Sequence, residues 1–102
     1  MRTTHALVQL AAALMSRPND RHWGYQLSRE SGVRSGAMYP RLSTLLAEGW
    51  LTDGWETTEE AAGRPPRRYY ELTDNGKRGL GAVLAKAKQD SRFRRLNLKY
   101  TK

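Results

Sequence analysis

The sequence contains no cysteine. That excludes disulfides, thiolate catalysis, zinc fingers and iron–sulfur clusters, and it suits a reducing cytosol. Its two histidines, His5 and His22, each stand without a second ligand at helical spacing, so no metal site is expected. No apolar run approaches the ~20 residues of a membrane span. Met1–Met15 has only Arg2 ahead of its apolar residues and no small-residue cleavage site, so no signal peptide is expected. A phosphate loop is missing too. In Gly63-Arg64-Pro65-Pro66-Arg67-Arg68 the prolines remove backbone donors, and no Gly-Lys-Ser/Thr follows. Glu59 and Glu60 are adjacent on a connector and cannot hold two carboxylates at a defined separation. Neither an enzyme nor a cofactor is expected.

What remains is a chain of 102 residues, the length of one domain spanning 1–102, with 38% hydrophobic residues for a modest core. The net charge is +8, and it is segregated. Residues 1–63 hold 6 Lys+Arg and 7 Asp+Glu, a net of −1, whereas residues 64–102 hold 12 and 3, a net of +9. A basic half joined to a near-neutral one points to a polyanion such as nucleic acid or an anionic membrane, with a solubilising tail as the alternative.

The first segment, residues 4–16, is rich in Ala and Leu and favours a helix. Its apolar residues cover nearly the whole circumference, so it is expected to be buried on more than one side, with a second subunit as one cover. Pro18-Asn19-Asp20 reads as a turn. Asp20 is placed to cap a helix over 21–31 that Gly32 ends. Ser35 is placed to cap a further helix over 36–48, stopped by Gly49, with Met38, Leu42, Leu45 and Leu46 facing the core. Gly36, Pro40, Ser43 and Thr44 face outward, with Tyr39 and Arg41 on the flanks. A short helix, a glycine turn and a longer helix make a helix-turn-helix over 21–48.

Trp50–Glu56 and Arg67–Thr73 are strand-like, rich in aromatic and β-branched residues. Their connector, Thr57–Pro66, reads as a mobile hairpin tip, and the whole of 50–73 as a wing. Thr73 or Asp74 caps a last helix over 74–95, beyond which 96–102 is a frayed basic tail. Leu80, Leu84 and Ala87 form one apolar stripe. Ala82, Ala85, Phe93, Leu96 and Tyr100 gather opposite, as if for a second copy. The fold class is therefore mainly α with a small β-hairpin wing, a winged helix-turn-helix with an added C-terminal dimerisation helix.

Several blocks of this sequence together resemble the PadR family of bacterial transcriptional regulators. They are His22-Trp23-Gly24-Tyr25-Gln26-Leu27-Ser28, Ser35-Gly36-Ala37-Met38-Tyr39-Pro40-Arg41-Leu42 and Leu45-Leu46-Ala47-Glu48-Gly49-Trp50-Leu51. Trp55-Glu56, Gly63-Arg64-Pro65-Pro66-Arg67-Arg68-Tyr69-Tyr70 and Leu72-Thr73-Asp74-Asn75-Gly76 follow in the same order. The resemblance covers about Leu7–Leu84. It implies a short winged helix that forms a homodimer through its first and last helices. A small aromatic effector between dimer helices is a family trait that a stray Trp or Phe93 would serve. The implied protein is a cytoplasmic, bacterial or phage-encoded repressor on an inverted-repeat operator. A protein-docking module and a non-specific architectural DNA binder are the alternatives.

Groove geometry then assigns the contacts. The helix of Ser35 enters the major groove by its N-terminal turn, where Ser35, Gly36 and Ala37 permit close approach. Tyr39 supplies a phosphate hydroxyl contact, Arg41 a charge or guanine contact, and Arg34 a backbone contact. Arg64 and Arg67 on the wing reach the minor groove or its phosphates. Tyr39 also reads as a core aromatic. Tyr25 and Tyr70 read as core, with the Tyr25 hydroxyl as a further phosphate contact. Trp23, Trp50 and Trp55 read as packing.

Overall fold

A computed structural model describes residues 1–96; Tyr100 and the rest of 97–102 lie outside the described residues. The chain runs α1 (His5–Ser16), β1 (His22–Trp23), α2 (Gly24–Ser31), α3 (Ser35–Ala47), β2 (Leu51–Trp55), α4 (Thr58–Ala61), β3 (Arg68–Leu72) and α5 (Asp74–Lys88), then a 3-10 turn at Ser91–Phe93.

Thr4 starts α1, its hydroxyl accepting the Leu7 N–H at 3.1 Å. The helix then runs through the centre of the molecule, packed against α2, α3 and α5. Leu7, Val8, Leu10, Ala11, Ala12, Ala13 and Leu14 are all buried within a single chain. The all-round apolar surface expected to need a second subunit is thus covered by the chain's own helices. Part of that cover is Phe93, 2% exposed, whose ring lies 4.8 Å from that of His5. The last helix accordingly ends at Lys88 and not near 95, because the chain turns at Asp90 to bring Phe93 back onto the core.

Other expectations change as well. The helix expected from residue 21 begins at Gly24, since His22 and Trp23 are extended and pair antiparallel with Tyr70 and Tyr69. Asp20 is therefore no cap, and the sheet has three strands in the order β1-β3-β2. His22 is fully buried there, its Nε2 2.9 Å from the Arg17 carbonyl, and burial lowers its pKa. The connector expected to be a mobile tip carries α4. The Thr57 hydroxyl accepts the Glu60 N–H at 3.1 Å, and the Glu60 carboxylate accepts the Thr57 N–H at 2.9 Å.

α3 starts one residue earlier than expected, with Arg34 at the cap position and Ser35 already helical. Met38, Leu42 and Leu45 are buried as the spacing requires. The helix ends at Gly49 (φ 74°), where the Gly49 N–H donates to the Leu46 carbonyl and the Trp50 N–H to that of Leu45. β2 and β3 pair from Leu51↔Leu72 to Trp55↔Arg68. Thr73 then caps α5, its hydroxyl accepting the Gly76 N–H at 3.0 Å and donating to the Gly49 carbonyl at 2.7 Å. This brings the bare face of Gly76 and Gly79 onto Trp50.

Candidate nucleic-acid interface

The start of α2, the exposed side of α3 and the base of the wing converge on one cleft of about 710 Å³. Tyr25, Gln26, Tyr39, Trp55 and Arg67 are among its lining residues. Tyr39 is 46% exposed, and its ring lies against Gly24, where a Cβ would collide with the Tyr39 hydroxyl. It therefore closes α2 against α3 and still presents an edge outward. Tyr25 is 75% exposed, not core, with the Arg29 guanidinium 5.5 Å from its ring centre. Trp55 is 64% exposed, against the packing role expected of it. Tyr70 is buried as expected, while Trp23 is half-buried with its ring edge-on to Tyr69.

The candidate arginines fall into two groups. Arg34 at the entry of α3 and Arg67 at the entry of β3 are exposed, and neither guanidinium makes a hydrogen bond or ion pair among the described residues. The other two are engaged. Arg41 donates to the Ala37 carbonyl at 2.9 Å and approaches the Thr4 hydroxyl at 3.4 Å, which turns it from the cleft toward the N-terminus. Arg64 grips Glu56 with both terminal nitrogens, at 2.6 and 2.9 Å. Ser35, Gly36 and Ala37 are all exposed on the first turn of α3.

Glu56 is the staple of the wing. Its side chain is 7% exposed, and its Oε1 also accepts the Arg67 N–H at 2.9 Å. The Arg64 guanidinium first, and then the Arg67 N–H, hold its carboxyl down at about 2. A carboxylate with a lowered folded pKa contributes stability above its unfolded value, and that stability is lost as the pH falls from about 4.5 through about 2. The thermal midpoint of the protein should therefore drop across this window, and Glu56→Gln should remove that part of the drop. Identical pH profiles for the two would show that the staple carries no stability. Three further ties hold the same region: Arg21 to Glu60 at 2.7 Å, the Arg21 guanidinium 3.9 Å above the Tyr69 ring, and Arg68 to Asp53.

Sequence reasoning missed Trp55 and Gln26 as cleft residues. Their exposure depends on strand register and on where α2 begins, which no local pattern announces. Among the described residues no three His, Asp or Glu gather as a metal set, and no helix is long and apolar enough to cross a membrane.

The model of the transcriptional regulator PadR-like family matches residues 15–82. The fold is similar to that of a PadR family transcription regulator from Clostridium difficile R20291, at 19% identity and a TM-score of 0.65, covering 81% of this chain and 88% of that one. A PadR-like transcriptional regulator from Bacillus cereus strain ATCC 14579 is similar at 22% identity and a TM-score of 0.61, covering 81% and 82%. A PadR family transcriptional regulator from Eggerthella lenta DSM 2243 is similar at 28% identity and a TM-score of 0.57, covering 79% and 70%. No curated protein is similar enough to count as a relative.

Proposed function

The chain belongs to the PadR-like family of transcriptional regulators, DNA-binding proteins and not enzymes, and from that membership we propose that it is a sequence-specific repressor. It binds double-stranded DNA through α3 and the wing. The observation that carries this reading is a pair of guanidiniums that make no hydrogen bond or ion pair among the described residues, Arg34 and Arg67, beside the small-residue first turn of α3. α3 is the element that fits a major groove about 12 Å wide. Arg34 meets the phosphates at its start and Arg67 those beside the wing. The hydroxyls of Tyr25 and Tyr39 meet the strand that passes through the cleft between them. Most of these contacts position the protein, and Ser35, Gly36 and Ala37 sit nearest the bases.

Two copies pair through the outer face of α5 in this reading, α1 being covered within its own chain, so that the operator is an inverted repeat with half-sites one or two helical turns apart. PadR-family regulators typically dimerise. On α5 the exposed Ala82 and Ala85 lie opposite the buried Leu80, Leu84 and Ala87 and supply an outer row for the contact. Selection of bound duplexes from a random pool tests specificity, palindromy and spacing together. Enrichment of an inverted repeat is expected, and equal binding of all sequences would sink the repressor reading.

Gly36 supplies a further test. A Cβ at this position would meet nothing within 4 Å, so the fold does not need glycine there. Gly36→Ala should leave unfolding unchanged or slightly stabilised while weakening the selected duplex about tenfold, because the added methyl stands between helix and bases. Undiminished affinity would show that the first turn of α3 does not approach the groove floor.

A further inference from the structure

We propose that α3 reads thymine, its outward face recognising C5-methyl groups in the major groove and not the polar edges of guanine or cytosine. This rests on the DNA-binding reading above and names what that surface takes. Guanine is read by Arg or Lys, adenine by Asn or Gln, and cytosine by Glu or Asp. Apart from Tyr39, whose ring is turned onto Gly24, and Ala47 in the last turn, the exposed residues of α3 are Ser35, Gly36, Ala37, Pro40, Ser43 and Thr44, and none of those side chains is among them.

The guanidinium of α3 is not an exception. Arg41 is turned onto the Ala37 carbonyl and the Thr4 hydroxyl. Nor does Thr44 offer its hydroxyl outward, since that group donates to the Pro40 carbonyl at 3.1 Å and leaves the methyl as the free end. The face thus presents the Ala37 methyl, the Pro40 ring, the Thr44 methyl and two short serine hydroxyls. Thymine is the base whose major-groove edge carries a methyl group, and contact with an Ala or Thr methyl is the matching chemistry. Gly36 lets this face approach, because nothing projects from it. Charge in the interface is carried by Arg34 and Arg67, outside the row that faces the bases.

The test starts from the duplex that selection enriches and replaces its thymines one at a time by deoxyuridine, which lacks only the methyl. A loss of about fourfold in affinity is expected at adjacent positions under α3 in each half-site, the weight of one buried methyl, with none elsewhere. At one of those positions Ala37→Gly should bind the thymine and deoxyuridine duplexes equally. Unchanged affinity for every deoxyuridine duplex, with the preferred sequence still bound over random DNA, would overturn the methyl reading and leave the DNA-binding one standing. A pool that yields no preferred sequence would overturn both.

Discussion

Gly76→Ala will destabilise the fold by about 3 kcal/mol, a large part of the total for a domain of this size. The reason is backbone against backbone. A Cβ on residue 76 collides with the Trp50 carbonyl oxygen and comes within 2.8 Å of its carbon and 3.1 Å of its Cα. That carbonyl cannot move aside cheaply, because it accepts the Thr73 N–H at 3.1 Å and the neighbouring Gly49 carbonyl accepts the Thr73 hydroxyl. The thermal midpoint should fall by about 12 °C or more. Gly81 is the control in the same helix. Its added Cβ would meet only the Met15 methyl, at 3.9 Å, so Gly81→Ala should stabilise by about 0.5–1 kcal/mol through helix propensity alone. Two glycine-to-alanine changes in α5 with opposite signs would separate packing from propensity. Equal effects would mean that α5 does not lie against Trp50 as described.

The second large effect concerns DNA affinity and its dependence on salt. Combined Arg34→Ala and Arg67→Ala should weaken the selected duplex about a hundredfold at low salt, since hydrogen bonds to charged groups contribute about 1.5–3 kcal/mol each. The slope of log affinity against log salt should flatten by about 0.9 for each phosphate that is no longer neutralised. Arg64→Ala should behave differently. Its guanidinium is bound to Glu56, so its removal opens the wing, lowers the thermal midpoint and takes away part of the affinity while leaving the salt slope near its original value. Gel shifts across a salt series distinguish the two. An unchanged slope in the double variant would remove Arg34 and Arg67 from the phosphate-binding set, and an equal flattening by Arg64→Ala would return Arg64 to it.

How far the site was legible follows from which interactions are local. The helix-turn-helix and the core positions of α3 follow from spacing within about a dozen residues, and Met38, Leu42 and Leu45 are buried accordingly. The start of α2 was not legible, because His22 and Trp23 are extended only by pairing with Tyr70 and Tyr69 much later in the chain. The α4 capping box of Thr57 and Glu60 is a local signal, masked by the prolines that follow it. Among the arginines, type and position in the sequence do not separate Arg64 from Arg67. The path of the chain at the foot of the wing does, since it lays one guanidinium along Glu56 and leaves the other in the cleft.

By itself the sequence determined that the chain is mostly helical and without cysteine chemistry, basic in its second half and small-residued where α3 begins. These are properties of composition and short-range periodicity, and they survive whatever the chain packs against. The tertiary structure decided which apolar faces are already covered, which cations are already paired and which aromatics reach the surface. α1 was apolar all round in either case. Only the return of Phe93 and the packing of α2, α3 and α5 show that its cover comes from its own chain. Burial and ion pairing depend on distances between residues far apart in sequence, and such distances exist only once the chain has closed on itself.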